Sequence, residues 1–171
     1  MFNLKNKRGI SLIALVLIII AILIVGWIIT GVVIINKNKN KEPITGEQFK
    51  IKMQNLNYFV QDATSQFEEY DYVKEVYISA QKELEYQIEF YELNTEQDAI
   101  SSYNINKSKF EAKKSSTSTY TEVALGNNSK YTLTSNGQYM VVSRIENTFI
   151  YVHVDEEYKD EVKKILKELG Y

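Results

Sequence analysis

Three patterns of apolar and polar positions succeed one another along this chain. From Ile10 to Ile35 there are 26 residues without a charge, and Ser11, Trp27 and Thr30 supply the only polar groups among their side chains. At about 1.5 Å per residue, such a helix reaches roughly 39 Å and crosses a hydrocarbon core about 30 Å thick with some tilt. No polar face of the kind a water-facing helix needs can be drawn on it. It is also far longer than the roughly 7 to 15 apolar residues of a cleaved secretory signal. The pattern predicts a basic N-terminal segment over 1–9, a single transmembrane helix over 10–35, and Trp27 as a membrane-interface anchor.

The second pattern is polar. Asn36 to Lys41 alternate Asn and Lys before Glu42 and Pro43, poor helix material that reads as a tether over 36–43. The third occupies 44–171 and mixes two periods. Thr45-x-x-Gln48 has capping-box spacing ahead of Phe49, Met53 and Leu56, an i, i+4, i+7 stripe. Thr95 likewise opens a segment with Glu96 and Asp98 in its first turn, Ala99, Tyr103 and Phe110 on one face, and Lys113-Lys114 at its end, in keeping with the helix dipole. Asp155 is expected to open a last helix with Val162, Ile165, Leu166 and Leu169 as its stripe and Gly170 as its cap.

Between these helices the period falls to two, as in half-buried strands. Val76, Ile78 and Ala80 alternate with polar residues, as do Tyr86, Ile88 and Phe90. Tyr131 and Leu133 lead to Asn136-Gly137, a two-residue hairpin signal; strands over 138–145 and 148–154 follow, joined by Glu146-Asn147. Further strands are expected near 58–63 and 119–125, with 113–119 as an exposed loop. The predicted class is α+β: an N-terminal single transmembrane helix followed by an antiparallel sheet with helices packed on one face.

Charge divides the chain at the same place. The whole carries 20 basic and 22 acidic residues, but residues 1–41 hold six bases and no acid, whereas 42–171 hold 14 bases and all 22 acids. The two pieces are therefore +6 and 14 − 22 = −8. An acidic domain of this kind argues against nucleic-acid binding, which needs a basic surface to neutralise phosphates. With no Cys and one His, disulfide frameworks, cysteine nucleophiles and zinc sites built from Cys and several His are excluded.

Little conventional chemistry remains. His153, the one imidazole, is the first place to look for a general base; its alternation with Val152 and Val154 places it on a sheet face beside Phe149 and Tyr151 instead. No Gly-x-Ser-x-Gly, phosphate loop, dinucleotide fingerprint or His-Glu-x-x-His occurs, so no catalytic residue and no cofactor is assigned and no enzymatic activity is expected. Acidic residues gather at Glu68-Glu69-x-Asp71 and at Glu83, Glu85, Glu89 and Glu92, but neither group has calcium-loop spacing and no metal site is assigned. Eight of the 13 Tyr (Tyr70, Tyr72, Tyr77, Tyr91, Tyr120, Tyr139, Tyr151, Tyr171) exceed what one core can absorb. Tyr offers contact area with a polar tip, and the loop Glu68, Glu69, Tyr70, Asp71, Tyr72 is the binding candidate.

The start of the apolar run carries a further signal. Arg8-Gly9-Ile10-Ser11-Leu12-Ile13-Ala14, after Lys5 and Lys7, resembles the N-terminal signal of type IV prepilins and pseudopilins over about residues 5–30. The resemblance implies cleavage after Gly9, methylation of the new N-terminus at Ile10, and export of the C-terminal domain. The chain departs from it at Ala14, where pilins have Glu, and at Asn36–Pro43, which interrupt the helix. Three bases flank the run on each side; the crowding of Lys5, Lys7 and Arg8 against it favours N-terminus in, domain out.

The sequence thus predicts a single-pass protein of a cell membrane, with the bilayer as one partner and an extracytoplasmic domain that binds or scaffolds a protein partner. Its composition and prepilin-like start suggest a Gram-positive bacterial surface. A minor pilin or pseudopilin subunit is the first alternative and a membrane-tethered enzyme the second. Nothing in the helix specifies an oligomer, since Gly26 and Gly31 are five apart rather than four.

Overall fold

The computed structural model of the chain describes residues 40–81 and 86–171; the apolar run 10–35, with Gly9, Ile10 and Trp27, lies outside them. Among the described residues no helix is long and apolar enough to cross a membrane. The elements follow as α1 (Gly46–Asn55), β1 (Phe59–Asp62), a 3-10 turn (Thr64–Phe67), β2 (Val73–Ala80), β3 (Gln87–Leu93), α2 (Glu96–Glu111), β4 (Thr119–Leu125), β5 (Asn128–Ser135), β6 (Gln138–Ile145), β7 (Thr148–Asp155), a second 3-10 turn (Glu156–Tyr158) and α3 (Lys159–Leu169).

Local chemistry fixes most of these boundaries. Thr45 closes a full capping box with Gln48, and the Thr95 hydroxyl accepts from the Asp98 N–H. Each satisfies backbone donors that the first helical turn leaves open. Asn136 and Gly137 both lie in the left-handed region, with φ of 52° and 74°, which suits the turn that matches strand twist. Gly170 ends α3 at φ 92°, a conformation that costs glycine nothing. Asp155 differs from expectation: its side chain makes no cap bond and takes a hydrogen bond from Gln138, and the α-helix starts only after the second 3-10 turn.

All seven strands form one antiparallel sheet in the order β1-β2-β3-β7-β6-β5-β4. The α+β class and the antiparallel sheet agree with the sequence; the placement of all helices on one face is corrected. Phe49 and Met53 of α1 and Val162, Ile165, Leu166 and Leu169 of α3 pack with Ile88, Phe90, Val141, Ile150 and Val152. Ala99, Tyr103 and Phe110 of α2 pack with Leu93, Tyr131, Leu133, Met140, Val142 and Phe149. Neighbours in one strand point to opposite faces, so α2 covers the face away from α1 and α3. The reason is visible in β6, where Tyr139, Met140, Val141 and Val142 are buried in succession. Such a run marks a strand covered on both sides, and it needs helices on both.

Each face has its own tie. On the α1/α3 face, Phe49 stacks on Phe90 with ring centroids 5.0 Å apart. The Tyr58 hydroxyl lies 2.6 Å from that of Tyr86 and donates to Glu161 Oε1 at 2.8 Å. On the α2 face, buried Arg144 gives Nη1 to Glu96 Oε1 at 2.9 Å and to the Glu146 carbonyl at 3.0 Å, so its charge is not left unpaired.

The end of the segment read as a tether is laid on the domain. Asn127 Oδ1 accepts from the Lys41 N–H at 2.9 Å, Asn127 Nδ2 donates to the Lys41 carbonyl at 2.7 Å, and Lys41 Nζ donates to the Gly170 carbonyl at 3.0 Å. Beside it, burial and then the Lys41 charge push the Lys130 ammonium down to about 8. A lysine free in the unfolded chain titrates near 10.4, so between these values the unfolded state binds more protons and stability rises with pH. The urea midpoint is therefore predicted to rise from pH 7.5 to pH 8.5, below the range in which tyrosines that burial keeps neutral in the fold ionise in the unfolded chain and oppose the rise. In Lys130→Met, the midpoint at pH 7.5 should already be higher than that of the parent and most of the rise should vanish. Removing the α1 cap with Thr45→Ala should cost about 1 kcal/mol in the same measurement.

Candidate functional site

One helix cannot roof a seven-stranded sheet. Strands about 4.8 Å apart make a sheet roughly 29 Å across, while a helix with its side chains is about 10 to 12 Å wide. With Ala99, Tyr103 and Phe110 seated toward β5, β6 and β7, the flank over β3 and β2 stays open as a groove of about 470 Å³. Tyr91 and Leu93 of β3 and Phe149 and Tyr151 of β7 form its floor. Ser102, Ile105, Asn106 and Lys109 of α2 line one side, and Phe67, Tyr70 and Tyr72 the other. The α2 residues recur at i, i+3, i+4 and i+7, one helical stripe. The loop of the opposite wall is pinned, since Asn94 donates to the Asp71 carbonyl from its side chain at 2.7 Å and to the Tyr72 carbonyl from its backbone at 3.0 Å.

The rings run in series. Tyr72 and Tyr70 lie 5.7 Å apart, Tyr70 and Phe67 6.3 Å, and Phe67 meets Tyr91 edge-on at 5.6 Å. Tyr91 then stacks on its cross-strand partner Phe149 at 4.5 Å and 5°. The inner rings of the series are anchored by packing and the outer two are open, with Tyr70 41% and Tyr72 39% exposed. Ile105, 56% exposed, faces the same opening. Aromatic surface of this kind offers large contact area with few rotors to freeze.

Polar groups in the groove are few and placed. Glu89 Oε2 accepts from the Tyr91 hydroxyl at 2.5 Å and Oε1 accepts from Gln87 Nε2 at 2.9 Å. Burial and the Glu89 charge push the Tyr91 hydroxyl far above its ordinary value, and burial raises that of Tyr151. Both therefore stay neutral hydrogen-bonding groups at neutral pH. A hydrogen bond to Glu69 raises the Tyr70 hydroxyl likewise. With Asn106 and Lys109 on the helix side, the groove can stack on a ligand and hydrogen-bond to it at fixed points.

The loop singled out from sequence is divided by this geometry. Tyr70 and Tyr72 line the groove, whereas Glu68, Glu69 and Asp71 are exposed beside it and do not. Of the second acidic group, Glu89 faces the groove and Glu92 pairs with Lys74 at 2.6 Å, while Glu83 and Glu85 lie outside the described residues. Among the described residues no three acidic, His or Cys side chains gather as a metal site. His153 lies edge-on to Phe110 at 6.3 Å and does not line the groove. Burial, then Lys113, lowers its pKa against the pull of Asp155.

Phe67, Phe149 and Ile105 are groove residues that the sequence reading did not single out for binding, and Tyr91 stood there only among the surplus tyrosines. Ile105 carries a usable signal, an apolar residue off the inward stripe of α2. The others need the strand order to bring them together. Comparison of the chain with protein-family models, with curated proteins and with solved structures finds no match.

The outer rings are predicted to be dispensable for folding and the inner ones not. Tyr70→Ala and Tyr72→Ala should each move stability by no more than about 0.5 kcal/mol. Phe149→Ala, at a buried position stacked on Tyr91, should cost about 3 to 5 kcal/mol. Urea denaturation followed by circular dichroism separates the two cases.

Proposed function

We propose that this chain is a single-pass membrane-anchored protein whose α+β domain lies outside the cytoplasm and binds a segment of a partner protein in the aromatic groove. The carrying observation is the convergence of Tyr70, Tyr72 and Ile105, three large exposed apolar side chains, on the mouth of one groove. Scattered exposed apolar residues need no explanation, but a contiguous set over a recess is what interaction sites look like. Tyrosines backed by packed rings supply the anchor positions of a protein interface, and Glu89 and Lys109 supply oriented polar contacts.

The uncharged run 10–35 and the bases before it support the anchor and its orientation. Two experiments test the proposal. Protease added to intact protoplasts should digest the domain; digestion only after permeabilisation would contradict the orientation. A photo-crosslinking residue in place of Ile105 should give a discrete protein adduct that disappears in the Tyr70→Ala, Tyr72→Ala background. The same probe in place of Ile51, exposed on α1, should not give it. Equal adducts at both positions, or none at Ile105, would contradict the groove as the site.

A further inference from the structure

The sheet ends differently on its two sides. At one edge, β1 has only four residues. Its carbonyls and N–H groups at 59 and 61 face β2, to judge from the Ala63 N–H bond to the Val76 carbonyl in the same register. That leaves Val60 and Asp62 at the free side, and the Asp62 carboxylate accepts from the Thr64 N–H at 2.9 Å as the chain turns away. At the other edge, β4 runs for seven residues, every one exposed, and pairs with β5 without a bulge. Its hairpin closes over two residues on Leu125 and Asn128, a hydrogen-bonded pair. Odd-numbered residues of β4 therefore bond to β5, and Tyr120, Glu122 and Ala124 aim their N–H and carbonyl groups at solvent.

Natural sheets blunt such an edge with Pro, Lys, a bulge or a cover. Thr119-Tyr-Thr-Glu-Val-Ala-Leu125 has no Pro, Lys or bulge, and among the described residues no further strand pairs with its outer side. Its single charge, Glu122, is held by Lys107 at 2.5 Å, and Lys114 sits 3.9 Å from the centre of the Tyr120 ring. Val123 and Leu125 remain 41% and 49% exposed.

We propose that β4 pairs with β4 of a second copy of this chain, antiparallel about a two-fold axis through Val123, joining two sheets into one. The strand is self-complementary in that register. Val123 meets Val123 of the partner, Thr121 meets Leu125, and Glu122 meets Ala124, so the free backbone groups of Glu122 and Ala124 are satisfied and no carboxylate faces its own copy. A two-fold axis one residue earlier would set Glu122 against Glu122. Because the β1 edge is short and turned away, the pairing closes as a dimer and does not continue as a fibre. The groove lies over β2, β3 and β7, three strands and more from β4, so each copy keeps its groove open whatever that groove binds.

The chain has no cysteine, so one introduced thiol reports one contact. The two-fold pairing puts the Val123 Cα atoms about 4.5 Å apart in a non-hydrogen-bonded pair, within disulfide reach. Full-length Val123→Cys, in membranes treated with a thiol oxidant, should form a covalent homodimer at least several-fold above Ile51→Cys. Adding Ala124→Pro, which removes an outward N–H and leaves the bonds to β5 intact, should bring the yield down to the Ile51→Cys level. In detergent, sedimentation should give a dimer for the parent and a monomer for Val123→Lys, a surface change that spares the fold. A monomeric parent, equal yields from Val123→Cys and Ile51→Cys, or a dimer that survives Val123→Lys would overturn the proposal.

Discussion

Between α1 and α3 on one side and α2 on the other, β6 and β7 bury consecutive side chains, and this two-sided packing is the constraint from which the rest of the domain follows. Tyr139, Met140, Val141 and Val142 alternate between two apolar clusters, as do Phe149, Ile150 and Val152 with Tyr151 alongside. Such strands have no solvated face, so neither layer of helices can be omitted without exposing a row of large apolar groups. The hairpin turns on either side of β6 set the register that keeps each residue on its own face, since a slip by one position would exchange the two clusters.

Coverage of the two faces is unequal, and the surface features follow from that. Two helices close the α1/α3 face, with the capped start of α1 and the Gly170 turn of α3 close together beside the Lys41 clamp. A single helix on the opposite face seats over the middle strands. The sheet emerges on both sides of it, as the aromatic groove over β3 and as the exposed strand β4. Phe149 thus sits at the margin of the α2 cluster, with Tyr91 packed against it and Glu89 beyond. The stacking of Tyr91 on Phe149 and the Tyr91-to-Glu89 hydrogen bond tie the open part of the floor to the covered part.

Much of this was legible in the residues, and what was not has physical reasons. The caps at Thr45 and Thr95, the Asn136-Gly137 turn, the meander after it and the Gly170 stop are local signals, and each falls where the sequence puts it. The sidedness of the helices was not read correctly, although Tyr139–Val142 carries the two-faced signature, because period-two reasoning assigns one wet face by default. The Tyr70 and Tyr72 half of the candidate loop was legible from the surplus of tyrosines. The acidic half was not separable from it, because which side chains of a short loop turn inward depends on Asn94 holding the backbone from another element. Tyr91 meets Phe149 only through the pairing of β3 with β7, a contact 58 residues apart that no local pattern encodes.

Net charge of −2 conceals a basic start and an acidic domain, and within the described residues Lys41 is tied to Asn127. The domain is held together by its centre, with its edges and groove at its periphery. Native-state amide hydrogen exchange tests that ordering most directly, because protection grades from local to global opening across a structure. Amides of β6 and β7 should be the last to exchange, together and at the rate set by global unfolding, with β1 and β2 exchanging earlier. Amides of β6 and β7 exchanging ahead of those in β1 and β2 would contradict the account.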